Sequence, residues 1–183
     1  MTFISRLLLD GLMAKGIKVT SSIITISGRT DETVIGTMAE EEVPLSLDLL
    51  ERQVLLVYAV DINPQMPDAV AAANTDVRAS LSSTSRTTVG QISDNNVIAA
   101  ANKSIRAAGF VDGGVAFQDI SPESPVADGL DYIGIVSTND FFVQVQGANN
   151  LGLKGCHWRM WCARASVSAD IYAALVTGEQ LSA

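Results

Sequence analysis

The segment "QVLLVYAVDI", residues 53 to 62, is almost continuously apolar and is closed by Pro64. It constrains the fold more than any other stretch, because such a run, bounded by turn signals, reads as a strand covered on both faces. Around it the chain repeats one texture of short strand-like segments separated by turns. "IKVTSSIITIS", 17 to 27, is rich in β-branched residues and stops at Gly28. In "VPLSLDLL", 43 to 50, Val43, Leu45, Leu47 and Leu49 alternate with polar residues or Pro. "VRASLSS", 77 to 83, sends Val77, Ala79 and Leu81 inward, with Arg78 and Ser80 outward. The stretch after Asp94-Asn95-Asn96 has no clear period and fits helix or strand; it is read as strand from Val97 to Arg106. "GGVAFQDI", "LDYIGIV", "DFFVQVQG" and "CHWRMWCARAS" complete the set. "MPDAVAAANTD" between them is a helical turn or a loop, and "SPESPVADG" is a proline-bearing loop.

Helical spacing occurs only at the two ends. Phe3, Leu7, Leu8 and Leu12 give an amphipathic N-terminal segment over 1–16, interrupted by Asp10 and without the cleavage site of a signal peptide. A closing helix is expected over 168–178, with Ser168 as N-cap, Asp170 in its first turn and Gly178 at its end. Its apolar stripe of Ile171, Tyr172, Leu175 and Val176 would pack on the barrel or on a neighbour. Eight or nine short strands at turn-punctuated spacing predict an all-β sandwich or barrel of antiparallel strands. With 183 residues, no internal repeat and no linker, the expectation is one domain over 1–183.

Charge excludes some functions. The chain has 12 Lys and Arg against 20 Asp and Glu, a formal net charge of −8, and no basic run that could neutralise phosphates. Direct nucleic-acid binding is therefore not expected. Only 17% of residues are charged while 48% are hydrophobic, and mean hydropathy is +0.27. Because no stretch reaches the roughly 18 apolar residues of a membrane span, that surplus is expected in a core and in contacts between subunits. The one acidic cluster, Glu40-Glu41-Glu42, reads as a solvated loop.

Catalytic constellations are scarce. His157 is the only histidine, and its neighbour Cys156 would point to the opposite face of a strand, so the two do not form a nucleophile–base pair. Cys156 and Cys162 lie six residues apart on one strand, about 20 Å when extended, which is too far for a disulfide. They are expected as small buried apolar residues. No phosphate-binding glycine loop, nucleophile elbow or calcium loop is present, and neither a cofactor nor a metal is implied. Asp61, Asp128 and Asp131 read as turn formers rather than a catalytic carboxylate pair.

Binding surfaces are better represented. In "DFFVQVQGANN", 140 to 150, Phe141, Val143 and Val145 face a core, whereas Phe142, Gln144 and Gln146 form a second face that is neither core nor charged. Trp158 and Trp161, three apart, point to opposite faces of one strand, one for the core and one for an interface, with Arg159 and Arg164 alternating around them. These seven residues, Phe142, Gln144, Gln146, Trp158, Trp161, Arg159 and Arg164, are the candidate subunit interface. The alternative is a carbohydrate-binding β-sandwich in which Trp158, Trp161 and Tyr132 stack on sugar rings.

"SDNNVIAAANKSIRAAGF", "DFFVQVQGANN", the arginine-bearing strand after it and the closing "ADIYAALVTGEQLSA" resemble small major capsid proteins of icosahedral double-stranded DNA viruses with an internal membrane. The resemblance covers residues 76 to the end best. It implies a single upright jelly roll without catalytic residues, located in the virion shell. Its implied partners are other capsid subunits, including a second major capsid protein, and the internal membrane or proteins associated with it. The low charge and the lack of a basic arm agree with a shell that membrane separates from its genome.

Overall fold

The structure is a computed structural model that describes residues 16–109, 115–121 and 132–182. Residues 1–15 of the amphipathic N-terminal segment, residues 122–129 of the proline-bearing loop and the carboxylates Asp128 and Asp131 lie outside the described residues.

Ten strands and one helix are present among the described residues: β1 (Ile17–Val19), β2 (Ile24–Asp31), β3 (Ala39–Pro44), β4 (Gln53–Pro64), β5 (Asn74–Ser82), β6 (Val97–Arg106), β7 (Ala116–Ile120), β8 (Gly134–Val136), β9 (Asp140–Ala148), β10 (Gly155–Val167) and α1 (Ala169–Ser182). They form two five-stranded antiparallel sheets. In the first, β10 is the spine: β4 lies on one side with β8 beyond it, and β1 and β2 share the other side. The second has the order β3–β9–β5–β6–β7. The chain alternates between sheets except at β1–β2 and β5–β6–β7, giving β2–β10–β4–β8 facing β3–β9–β5–β6. That is the double Greek key of a jelly roll.

Period-2 alternation fills the space between the sheets. Leu55, Val57, Val60, Ile62, Trp158 and Met160 from the first sheet meet Val77, Leu81, Phe141, Val143 and Val145 from the second. Burying a large side chain of this kind stabilises by roughly 1.5–3 kcal/mol. Cys156 and Cys162 are free thiols in this core, as expected.

The double-sided burial of β4 has two causes. Its first half packs Leu55 and Val57 inward and Val54 and Leu56 outward, under Ile171, Tyr172 and Leu175 of α1. A register shift then falls between Trp161, opposite Ala59, and Cys162, opposite Val57, so Val57 and Val60 both face the core. Beyond the bulge the outward residues are Asp61 and Asn63, both exposed, and among the described residues no element packs over this part of the sheet. The helix therefore covers only half of the outer face.

Several boundaries differ from expectation. The segment 17–27 divides into two strands because Thr20 and Ser21 turn in to β10: both backbone amides donate to the Arg164 carbonyl, and Arg164 N donates to Ser21 Oγ. β3 starts at Ala39 and ends at Pro44, so Leu45, Leu47 and Leu49 are in a loop despite their alternation. There Asp48 accepts from the amides of Leu50 and Glu51 in a tight turn. Residues 67–73 form a loop, with Ala72 at φ 57°. The helix does begin after Ser168, whose carbonyl accepts from Tyr172 N at 3.0 Å, but it continues past Gly178 to Ser182.

Candidate assembly surfaces

The candidate interface residues separate into different environments. Gln144 is fully buried on the outer face of its sheet. Ser80 Oγ donates to its Oε1 at 2.7 Å, and its Nε2 donates to Ser82 Oγ at 2.8 Å and to Glu40 Oε2 at 2.9 Å. The lid over it is the chain's own loop 83–96, anchored where Gly90 N donates to Ser80 Oγ and where Ser85 Oγ and Arg86 N donate to Glu40. The expectation that Gln144 faces a neighbouring subunit is thereby corrected: a loop of the same chain dries this face. Phe142 and Gln146 are half-buried, and Gln146 donates to the Gly36 carbonyl at 3.0 Å.

The acidic cluster is corrected with it. Glu40 and Glu41 are strand residues of β3 and only half-exposed. Glu41 accepts from Thr30 Oγ1, which accepts in turn from the Trp158 indole N–H at 3.2 Å. That bond fixes Trp158 inside the barrel, edge-on to Phe141 with ring centroids 5.6 Å apart. Trp158 is thus the core tryptophan and no part of a docking surface. A Cβ at Gly28 would collide with its ring, which explains the glycine there.

Trp161 lies on the outer face, half-exposed, with the Arg159 guanidinium 5.9 Å from its ring centroid. Next to it Ser27, Arg29, Asp61, Asn63 and the exposed His157 line an open depression of about 540 Å³. Arg164 points the other way, into the mouth of the barrel. It donates to Gln53 at 3.2 Å beside the exposed Leu49 and Leu50. The seven candidate residues thus form no single patch. Tyr132 packs against the α1 layer, so the three aromatics of the sugar-platform reading do not share a face either. Among the described residues no group of three or more His, Cys, Asp or Glu is placed to hold a metal ion.

Two apolar surfaces were missed by sequence reasoning. The first is β7, with all five residues exposed, Phe117 at 64% and Ile120 at 48%. It sits at the rim of its sheet, paired on one side to β6. The second is one end of the barrel, where three loops carry exposed Val34 and Ile35, Met66, and Leu151 and Leu153. Buried polar groups stitch these loops together. Glu32 accepts from the amides of Gly147 and Lys154, and Asp68 accepts from Leu151 N and from Lys154 Nζ. Asn150 accepts from Asp68 N and donates to the Asp76 carbonyl. The Lys154 ammonium at 2.6 Å and these amides hold Asp68 below its ordinary pKa. The available signal was "NNLGLKG", with leucines set among turn residues where a soluble loop has polar ones.

No family model matches the chain, and no curated protein matches it. Among solved structures, a chain from Desmodium yellow mottle tymovirus aligns at 13% identity and a TM-score of 0.30, covering 80% of this chain and 87% of that one.

Proposed function

We propose that this chain is a structural protein of a virion shell, a coat subunit working by repeated lateral association rather than by catalysis. The observation that carries the reading is β7. A strand exposed on both faces, with Phe117 and Ile120 in water and a free hydrogen-bonding edge among the described residues, is a template for association. The jelly-roll topology supports it, since capsid proteins are one of the main uses of that architecture. The apolar loop end supports it as well, because its polar stitching holds Met66, Leu151 and Leu153 in place before any partner arrives. Association would draw mainly on apolar burial at about 25 cal/mol per Å², less the cost of immobilising each subunit.

The finer reading places upright barrels in an icosahedral shell around an internal membrane, with capsomers shared with a second coat protein and no direct nucleic-acid contact. Its support is the resemblance of residues 76 to the end and the net charge of −8 with no basic run within the 183 residues. A sugar-binding module is disfavoured by the burial of Trp158. Electron microscopy and light scattering of the purified protein, alone and with a candidate second coat protein, test the proposal. Rings or shells support it; a monodisperse monomer under both conditions, particularly one that binds glycans, rejects it.

A further inference from the structure

Where the C-terminal half of α1 crosses the ends of β6 and β8, it leaves a cavity of about 340 Å³. That is within the usual size of small-ligand sites. Ile98, Ile133, Ile135 and Leu175 form the aliphatic part of its wall, and Ser83, Asn95, Asn96 and the carboxyl group of Glu179 form the polar part. The carboxyl is fixed in direction, because Ser137 donates to it with both its amide and its hydroxyl and the Ser83 side chain adds a third hydrogen bond. Among the described residues no lysine or arginine pairs with it. Asp140 is the charged group facing it from β9, and its sign is the same. On the loop side, Asn96 lines the cavity and takes up Arg86, which is already paired with Asp94. A carboxylate oxygen has two lone pairs, so the serine bonds leave acceptor capacity toward the cavity. The opening on the helix side passes Gly178. Glycine is unfavourable inside a helix, and a Cβ there would meet nothing within 4 Å.

We infer that this cavity is a binding site for a primary ammonium on a short aliphatic chain, with Glu179 as counter-ion and the Ile98, Ile133, Ile135 and Leu175 wall receiving the methylenes. A carboxylate partly withdrawn from water, with no cation paired to it among the described residues and next to a second carboxylate, gains most from a charged donor that brings its own apolar stem. An alcohol of the same length supplies the stem without the charge. Burial raises the pKa of Glu179, so the bound cation should lower it and binding should strengthen as pH rises through it. The inference is independent of whether the chain builds a shell.

The test is a titration of the full-length chain with n-butylammonium chloride, followed by the methyl resonances of Ile98, Ile133, Ile135 and Leu175. Saturable shifts are expected, at least about tenfold weaker for E179Q, the loss of one charge-assisted hydrogen bond, and absent with n-butanol. E179Q keeps an acceptor for Ser137 and should stay folded. G178L leaves the charge in place but narrows the cavity, and it should also abolish binding. Equal affinity for butanol, equal affinity of E179Q, or no saturable shift overturns the assignment. A parallel titration with Nα-acetyl-lysine amide separates the sources of such a group. Binding comparable to butylammonium assigns the site to a lysine side chain of a docked protein, and binding of butylammonium alone assigns it to a free amine.

Discussion

Gln144 sits at the centre of the hydrogen-bonded network under the loop 83–96. Replacing it with leucine would leave the buried hydroxyls of Ser80 and Ser82 and the carboxylate of Glu40 short of partners. Each unsatisfied buried group costs about 1–3 kcal/mol, so urea unfolding of Q144L should show a loss of that order or more. Gly28 tests packing in the same way. G28A should destabilise by roughly 1–3 kcal/mol through overpacking against Trp158, and T30V, which leaves the buried indole N–H without its acceptor, should cost a similar amount. The two thiols give a chemical check. Burial raises the pKa of Cys156 to about 12 and that of Cys162 to about 11. Neither should react with iodoacetamide at neutral pH in the folded chain, and both should react in denaturant. Burial of the cysteines was legible from sequence. The role of Gln144 was not, because alternation assigns a residue to a face but does not say what covers that face.

At the scale of elements, α1 and the loop end should respond to pH in opposite directions. Burial raises the pKa of Glu179, so its contribution to docking α1 is fully present below the ordinary carboxylate value. That contribution is lost as pH rises through the raised one. Asp68 is held below its ordinary pKa by Lys154 and the Leu151 amide, so its contribution is present above that ordinary value and is lost as pH falls through the lowered one. Stability profiles against pH should therefore lose their decline on the rising-pH side in E179Q, and lose part of their acid dependence in D68N. Hydrogen exchange in α1 and in residues 149–154 would locate each change. Strand β7 makes a separate prediction. F117K with I120K removes apolar surface from an exposed strand, so stability should change by no more than about 0.5 kcal/mol per site. Light scattering should nevertheless show association lost, because a lysine-bearing edge resists pairing. β6, β9 and β10 were read from sequence within a residue or two. β3 was misplaced because Leu45, Leu47 and Leu49 keep strand period through a loop, where Asp48 and the neighbouring backbone set the chain direction.

For the molecule as a whole, the proposed assembly is apolar, and its response to solvent should say so. Association should strengthen on adding sulfate and weaken on cooling, whereas an association built on surface ion pairs would weaken with salt. Light scattering across a sulfate series and a temperature series distinguishes the two. The sequence by itself determined the all-β class, the inward residues of most strands, the helix after Ser168 and the lack of a basic surface. These depend on local period, capping and composition, which any short stretch carries. Only the tertiary structure decided which sheet each strand joins and that Trp158 fills the core while Trp161 faces out. It also decided that the second face of β9 is dried by the chain's own loop, and that Glu179 closes a cavity beside α1. Each of these depends on pairs distant in sequence, Gln144 with Glu40 and Ser80, Trp158 with Thr30, Glu179 with Ser137. Their meeting is set by the jelly-roll crossovers, and nothing in either local sequence encodes the partner.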